Sequence, residues 1–122
     1  NLGIIITDSK STPLRWGATG VTLAHSGFRA LKSYVGTPDI FGRMMQHETA
    51  NIYDALATSA TLEMGEGNEQ KPIAIITDVS SVDFQNRNPT KKELDFLRLN
   101  IETDFYAPIL TSAKWLPGRH NR

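Results

Sequence analysis

Apolar residues gather in two unbroken runs and in longer stretches with helical spacing. Ile4-Ile5-Ile6 is continuous and β-branched, which predicts a strand buried on both faces. The run ends at Thr7-Asp8-Ser9, and a polar segment with Pro13 follows through Gly17 and Gly20. Val21-Thr22-Leu23-Ala24 alternates weakly and reads as a second strand, closed by Ser26-Gly27. Residues 28–35 fit a short helix or a strand equally well. Gly36-Thr37-Pro38-Asp39 predicts a turn, because Gly and Pro together break either element.

From about Arg43 to Met64 there is no Gly or Pro, and Met45, Thr49, Ile52, Leu56, Ala60 and Glu63 follow helical steps. Tyr53 and Ala57 widen that stripe. The spacing predicts the longest helix here, with Gly65 as the left-handed residue that ends it. Gly67 to Pro72 reads as a loop, and Ile73-Ala74-Ile75-Ile76-Thr77 as another buried strand. Both apolar runs finish Ile-Ile-Thr-Asp, at Asp8 and at Asp78, an echo too short to mark a repeat. After a polar stretch over 78–90, Thr90-Lys91-Lys92-Glu93 has capping-box spacing and predicts a helix from Lys91 to about Asp104. Leu94, Leu97 and Ile101 give that helix its stripe. The tail from Lys114, with Trp115, Arg119 and Arg122, carries no structural signal. Strands mixed with helices point to an α+β or α/β layer, and α+β, a mixed sheet with packed helices, is the class adopted.

At 122 residues and 13.5 kDa the chain is one domain or one piece of a larger one. Thirteen basic residues balance thirteen acidic ones, so no overall charge draws the chain to nucleic acid or to an anionic membrane. The absence of cysteine excludes disulfides, zinc–thiolate sites, iron–sulfur clusters and thiol nucleophiles. No apolar run approaches the roughly 20 residues of a membrane span. The opening Asn1-Leu2-Gly3 lacks an initiator Met and enters a strand at once, the pattern of a fragment.

Several motifs fail. His47-Glu48 begins a metalloprotease pattern, but Asn51 stands where the second His belongs. Gly65-Glu66-Gly67 is no dinucleotide fingerprint, since Gln70 replaces the third glycine. His25, His47 and His120 have no spacing that argues for a triad or a metal, and they read as structural or solvated. What survives is a set of hard oxygen ligands. Asp8-Ser9, at the end of an apolar strand, offers a carboxylate and a hydroxyl to a divalent cation, and Glu66 projects from a Gly-Glu-Gly loop. The plain alternative makes Asp8 a turn residue and Glu66 a solvated acid, the more ordinary fate of such residues. A further alternative joins Asp8 and Asp78 in one metal site across adjacent strands. Arg15 and Arg43 are each open to phosphate contact or to pairing with a nearby Asp. Trp16, Trp115 and Tyr34 are open to purine stacking, but packing is the simpler reading.

Residues Gly3 to about Asp78 resemble the C-terminal part of the coenzyme F420:L-glutamate ligase family. The resemblance rests on Ile-Ile-Thr-Asp8-Ser9, Arg15, Gly17, Gly20, Ser26-Gly27, Asp39-Ile40-Phe41-Gly42-Arg43 and Met64-Gly65-Glu66-Gly67, in order and without a gap between Asp8 and Gly67. It implies an F420 ligase-like fold of which residues 1–122 hold only part: 1–78 matched, 79–122 weakly matched. It also implies a cytoplasmic homodimer that uses GTP and a divalent metal, magnesium or manganese, to join L-glutamate to a coenzyme F420 or folate-like acceptor through an acyl phosphate. Position by position, Asp8, Ser9 and Glu66 match metal ligands. Met64, Gly65, Glu66, Gly67, Asn68 and Lys71 fall in the nucleotide-binding loop. No catalytic side chain is assigned.

Two departures set expectations. Many relatives have Gly-Arg where this chain has Ser11-Thr12, which removes a cation from that spot. The family's N-terminal part, with another metal-ligating Asp, is outside this sequence, so the fragment alone is expected to be inactive. The alternative from a different class is a non-catalytic dimerisation or anion-binding module that retains the ligase fold.

Overall fold

The computed structural model describes residues 1–114 and 116. The chain divides into two compact units, Asn1–Pro89 and Thr90–Arg122. Trp115, Arg119, His120 and Arg122 lie outside the described residues.

The first unit is α+β. Strands β1 (Ile4–Ser11) and β2 (Ala18–Ser26) form an antiparallel hairpin, and β3 (Leu31–Ser33) pairs antiparallel with β4 (Thr49–Asn51). Helix α1 (Ile52–Met64) follows directly and packs on the hairpin, chiefly on β2. Among the described residues the expected mixed sheet is therefore two separate antiparallel pairs.

β1 is longer than its apolar run predicts and is not buried on both faces. Ile5 and Thr7 are half-buried, and Ile4, Ile6 and every residue from Asp8 to Ser11 are exposed. The reason is pairing: among the described residues β1 has a partner on one edge only, and a hairpin covered by one helix has one face against a core. The register slips between Ile6↔Ala24 and Thr7↔Thr22, which leaves Leu23 unpaired, as a bulge does.

The expected helix from Arg43 begins nine residues too early. Residues 34–48 instead extend the β3–β4 pair into an arm. Tyr34 N–H donates to the Glu48 carbonyl at 2.9 Å, and the Met45 and Gly36 N–H groups are bonded across it at 2.9 Å each. Its tip is closed by the Asp39 carboxylate, which accepts the N–H groups of Phe41 and Arg43 at 2.8 Å each. Cross-strand bonds over 31–51 thus override helix propensity. The helix starts where Asn51 caps it, its side-chain oxygen accepting Asp54 N–H at 3.1 Å. From there most of the predicted stripe holds, with Ile52 and Ala57 buried and Tyr53, Leu56 and Ala60 half-buried, but Glu63 is exposed. Gly65 ends the helix with φ 81° and ψ 175°, and its N–H reaches the Thr61 carbonyl at 2.9 Å. That backbone has the predicted positive φ, but its ψ is extended rather than left-handed helical.

The second predicted buried strand is the clearest correction. Residues 73–77 pair with no described segment, and Ile73 and Ile75 are 80% and 87% exposed. An apolar run is buried as a strand only when a ladder holds it in a sheet, and none does so here. Part of the run, Ile75 and Ile76, lines an apolar cavity of about 660 Å³ with Leu2, Phe28, Leu56 and Phe84. The polar stretch that follows closes the unit. Phe84 bridges Phe28, Arg29 N–H donates to the Asp83 carbonyl at 2.9 Å, and the Arg29 guanidinium pairs with the Asp83 carboxylate at 2.7 Å.

In the second unit, Thr90 makes the predicted capping box with Glu93. The helix it opens is short: α2 (Lys91–Phe96) is followed by a 3-10 turn (Ile101–Thr103) and α3 (Ala107–Ser112). The helix expected to reach about Asp104 ends at Phe96, and Asn100 and Asp104 flank the 3-10 turn that follows. Their side chains accept the Glu102 and Tyr106 N–H groups at 3.2 and 2.7 Å, a local alternative to helical bonding. No helix among the described residues is long and apolar enough to cross a membrane.

Candidate functional site

Of the hard oxygen ligands singled out in the sequence, Ser9 and Glu66 meet beside the hairpin, and Asp8 precedes Ser9 in the same strand. Asp8 and Ser9 lie within β1, not beyond its end, because the strand continues to Ser11. Glu66 follows α1 by a single glycine. Ser9 Oγ donates to Glu66 Oε1 at 2.6 Å, and Ser9 N–H donates to Asp8 Oδ1 at 2.8 Å. Two carboxylates and a hydroxyl are thereby linked through Ser9, all on exposed residues.

Distant parts of the unit make that meeting possible. Ser9 is the cross-strand partner of Gly20, and Thr58 Oγ1 on α1 donates to the Gly20 carbonyl at 3.0 Å. One turn earlier, Thr22 N–H donates to Asp54 Oδ1 and Thr22 Oγ1 to the Tyr53 carbonyl, each at 2.8 Å. Asn51 Nδ2 holds the other Asp54 oxygen at 2.8 Å. The start of α1 is thus fastened to β2, and its far end delivers Glu66. Sequence reading missed Thr22, Asp54 and Thr58, since each acts across more than thirty positions and no local pattern announces it.

The rest of the nucleotide-loop assignment is contiguous but more loosely joined. Met64 is half-buried at the helix end, and Gly67 N–H donates to Glu69 Oε2 at 2.8 Å. Asn68 accepts from Gln70 at 3.3 Å, and Lys71 is exposed. Glu69, read only as a loop residue, is the carboxylate that orders this turn. Arg15 sits in the β1–β2 turn, where its N–H meets the Thr12 carbonyl at 3.2 Å. Arg43 N–H serves the Asp39 turn, which is not a helix start. Trp16 is fully exposed, so core packing does not account for it. Lys32 Nζ lies 5.5 Å from the centre of the Tyr34 ring. His25 is a packing residue, edge-on to Phe28 and Tyr53 at 5.4 and 5.6 Å. His47 is exposed, its N–H donating to Glu48 Oε2.

The reading that joins Asp8 to Asp78 across adjacent strands loses its basis, because 73–77 is not a strand and β1 pairs with β2. Among the described residues no three or more His, Asp or Glu side chains converge as a metal cage. The Asp8–Ser9–Glu66 set is smaller: exposed hard oxygens with room for water or phosphate oxygens, a donor chemistry that fits magnesium or manganese.

Comparison with known proteins decides the family. The description F420-0:gamma-glutamyl ligase belongs to the family whose profile matches residues 1–78, well over half the chain. The chain belongs to that family. Its relatives include the coenzyme F420:L-glutamate ligases of Methanococcus maripaludis strain C7 (41% identical over 76 residues) and Methanocaldococcus jannaschii (40% over 85). These alignments cover 62% and 70% of this chain but 31% and 34% of the relatives. The ligase of Archaeoglobus fulgidus is 33% identical over 75 residues, 62% of this chain and 30% of that protein. The chain spans about a third of the length of the curated relatives it matches. The F420-0:gamma-glutamyl ligase match takes in every residue of the candidate site, Asp8 through Lys71.

Proposed function

We propose that residues 1–78 supply part of the metal and nucleotide site of a GTP-dependent ligase that adds L-glutamate to a coenzyme F420 or folate-like acceptor. The observation that carries this reading is the 2.6 Å bond between Ser9 and Glu66, which unites the two halves of the oxygen set within the family-matched region. Asp8, Ser9 and Glu66 would hold magnesium or manganese, which when bound neutralises phosphate charge. The Met64–Lys71 loop would lie along the nucleotide, with glycines 65 and 67 allowing close backbone approach. The acceptor carboxylate attacks the γ-phosphorus of GTP and GDP leaves, giving an acyl phosphate. The glutamate amine then attacks the acyl carbon, phosphate departs, and the nitrogen loses its proton.

This chemistry asks for positioning and charge neutralisation, which the exposed oxygen set supports, and it needs no cysteine or histidine nucleophile. The same reading gives residues 1–78 the family's fold, places the enzyme in the cytoplasm with its nucleotide, and makes it a homodimer. Exposed Phe41, Ile73 and Ile75 supply apolar surface of the kind an interface covers.

Calorimetric titration of the chain with manganese and then GTP tests the site. Heat that depends on manganese and is lost in Asp8→Ala and Glu66→Ala is expected; nucleotide binding untouched by both substitutions would sink the assignment. The activity is tested by exchanging residues 1–78 for the matching stretch of the Methanocaldococcus jannaschii ligase. Glutamate-dependent phosphate release from GTP is expected. A folded chimera that binds ligands without turnover would favour the non-catalytic module.

A further inference from the structure

We propose that Gly20 is a positioning residue that sets the distance between Ser9 and Glu66, an inference that rests on the metal-site reading above. Gly20 is buried, and its backbone φ lies outside the range that only glycine favours. Conformation is therefore not why a glycine is needed. Space is: a Cβ built there would stand 2.5 Å from the Ala57 carbonyl oxygen, 2.6 Å from its carbon and 2.7 Å from Thr61 Oγ1. Ala57 is fully buried, and the obstacle is helix backbone that cannot turn aside as a side chain could.

The consequence runs through two connections. Gly20 is paired across the hairpin with Ser9, and α1, which Gly20 abuts, ends one residue before Gly65-Glu66. Adding a methyl group at 20 requires α1 to retreat from β2 by roughly an ångström before the contact becomes ordinary. A 2.6 Å hydrogen bond does not survive a separation of that size without rearrangement. The absence of a side chain at position 20 thus fixes how closely the Ser9 hydroxyl and the Glu66 carboxylate are held.

The test uses isotope-labelled 122-residue chain, nuclear Overhauser contacts between the Ser9 and Glu66 side chains, and manganese alone as a paramagnetic probe. In the unsubstituted chain the contact is expected without metal, and manganese should broaden the amides of 8–10 and 65–67 together. Gly20→Ala should retain a folded spectrum, lose the contact and bind manganese about tenfold or more weakly, as loss of supporting groups around metal sites generally does. Gly17→Ala is the control: its φ is +94° with nothing within 4 Å of a new Cβ, so it should strain the turn and leave contact and broadening intact. Gly20→Ala with the contact retained and manganese affinity within about twofold overturns the proposal. Loss of the contact in a chain that never shows manganese broadening supports the positioning role and overturns the metal reading alone. Should Gly20→Ala not fold, Thr58→Val removes the bond to the Gly20 carbonyl without adding bulk. A weakened contact in that variant supports the proposal, and an unchanged one overturns it.

Discussion

The Ser9 hydroxyl and the Glu66 carboxylate, fifty-seven positions apart, are 2.6 Å from one another, donor to acceptor. The bond is exposed, so its net contribution to folding is small, while on the proposed metal-site reading it orients a ligand. Ser9→Ala should accordingly lower stability by about 1 kcal/mol or less in urea denaturation, yet weaken manganese binding about tenfold. Equal small effects on both would remove Ser9 from the ligand set.

Asn51 both caps α1 and holds Asp54, whose other oxygen receives Thr22 N–H. Asn51→Ala should cost about 1–2 kcal/mol, the upper range for a lost cap, because a tether goes with it. Asn51→Ser keeps a capping oxygen and should recover most of the loss. Chemical denaturation of the three chains checks the order.

Gly65 holds φ 81° and ψ 175°, a region almost closed to other residues, and a Cβ there would run into the Glu69 carboxylate. Gly65→Ala is expected to destabilise by about 1–3 kcal/mol. Two positions on, Gly67 has no such φ, and a new Cβ would meet Glu69 at an ordinary 3.5 Å. Gly67→Ala should stay within about 0.5 kcal/mol of the parent. Thermal melts of the two variants check the contrast between a strained, crowded position and one that is neither.

Tyr53 ionises at higher pH than a free tyrosine, first because it is partly buried and second because Asp54 is beside it. The folded chain therefore holds the phenolic proton more tightly than the unfolded chain does. That stability is fully present below about pH 10, the ordinary tyrosine value, and is lost as pH rises through the folded value. Melting temperatures measured from pH 8 to 11 should fall more steeply for the parent than for Tyr53→Phe. Identical slopes would contradict this account.

Some of this was legible in the sequence alone. The capping box at Thr90 and the end of α1 at Gly65 depend on residues a few positions apart, so the local pattern contains them. The same is true of the helical stripe from Ile52 to Ala60. The helix start was not legible, because residues 43–51 are competent in either form and only cross-strand bonds to 31–39 make them an arm. Ile73 to Thr77 failed for the opposite reason: the run has every local mark of a strand, and no described segment supplies its ladder.

The site divides the same way. Asp8, Ser9 and Glu66 stood out as candidate ligands by residue type and by the ordered landmarks shared with the ligase family, since ligand chemistry is a property of the side chain itself. Their convergence was decided by tertiary structure alone. It depends on Gly20 lying against the Ala57 backbone and on Thr22 and Thr58 bonding across to α1 and β2, contacts set by packing over more than thirty residues. Side-chain identity determines which atoms can hold a hard cation; only the docking of a helix onto a hairpin determines that they meet.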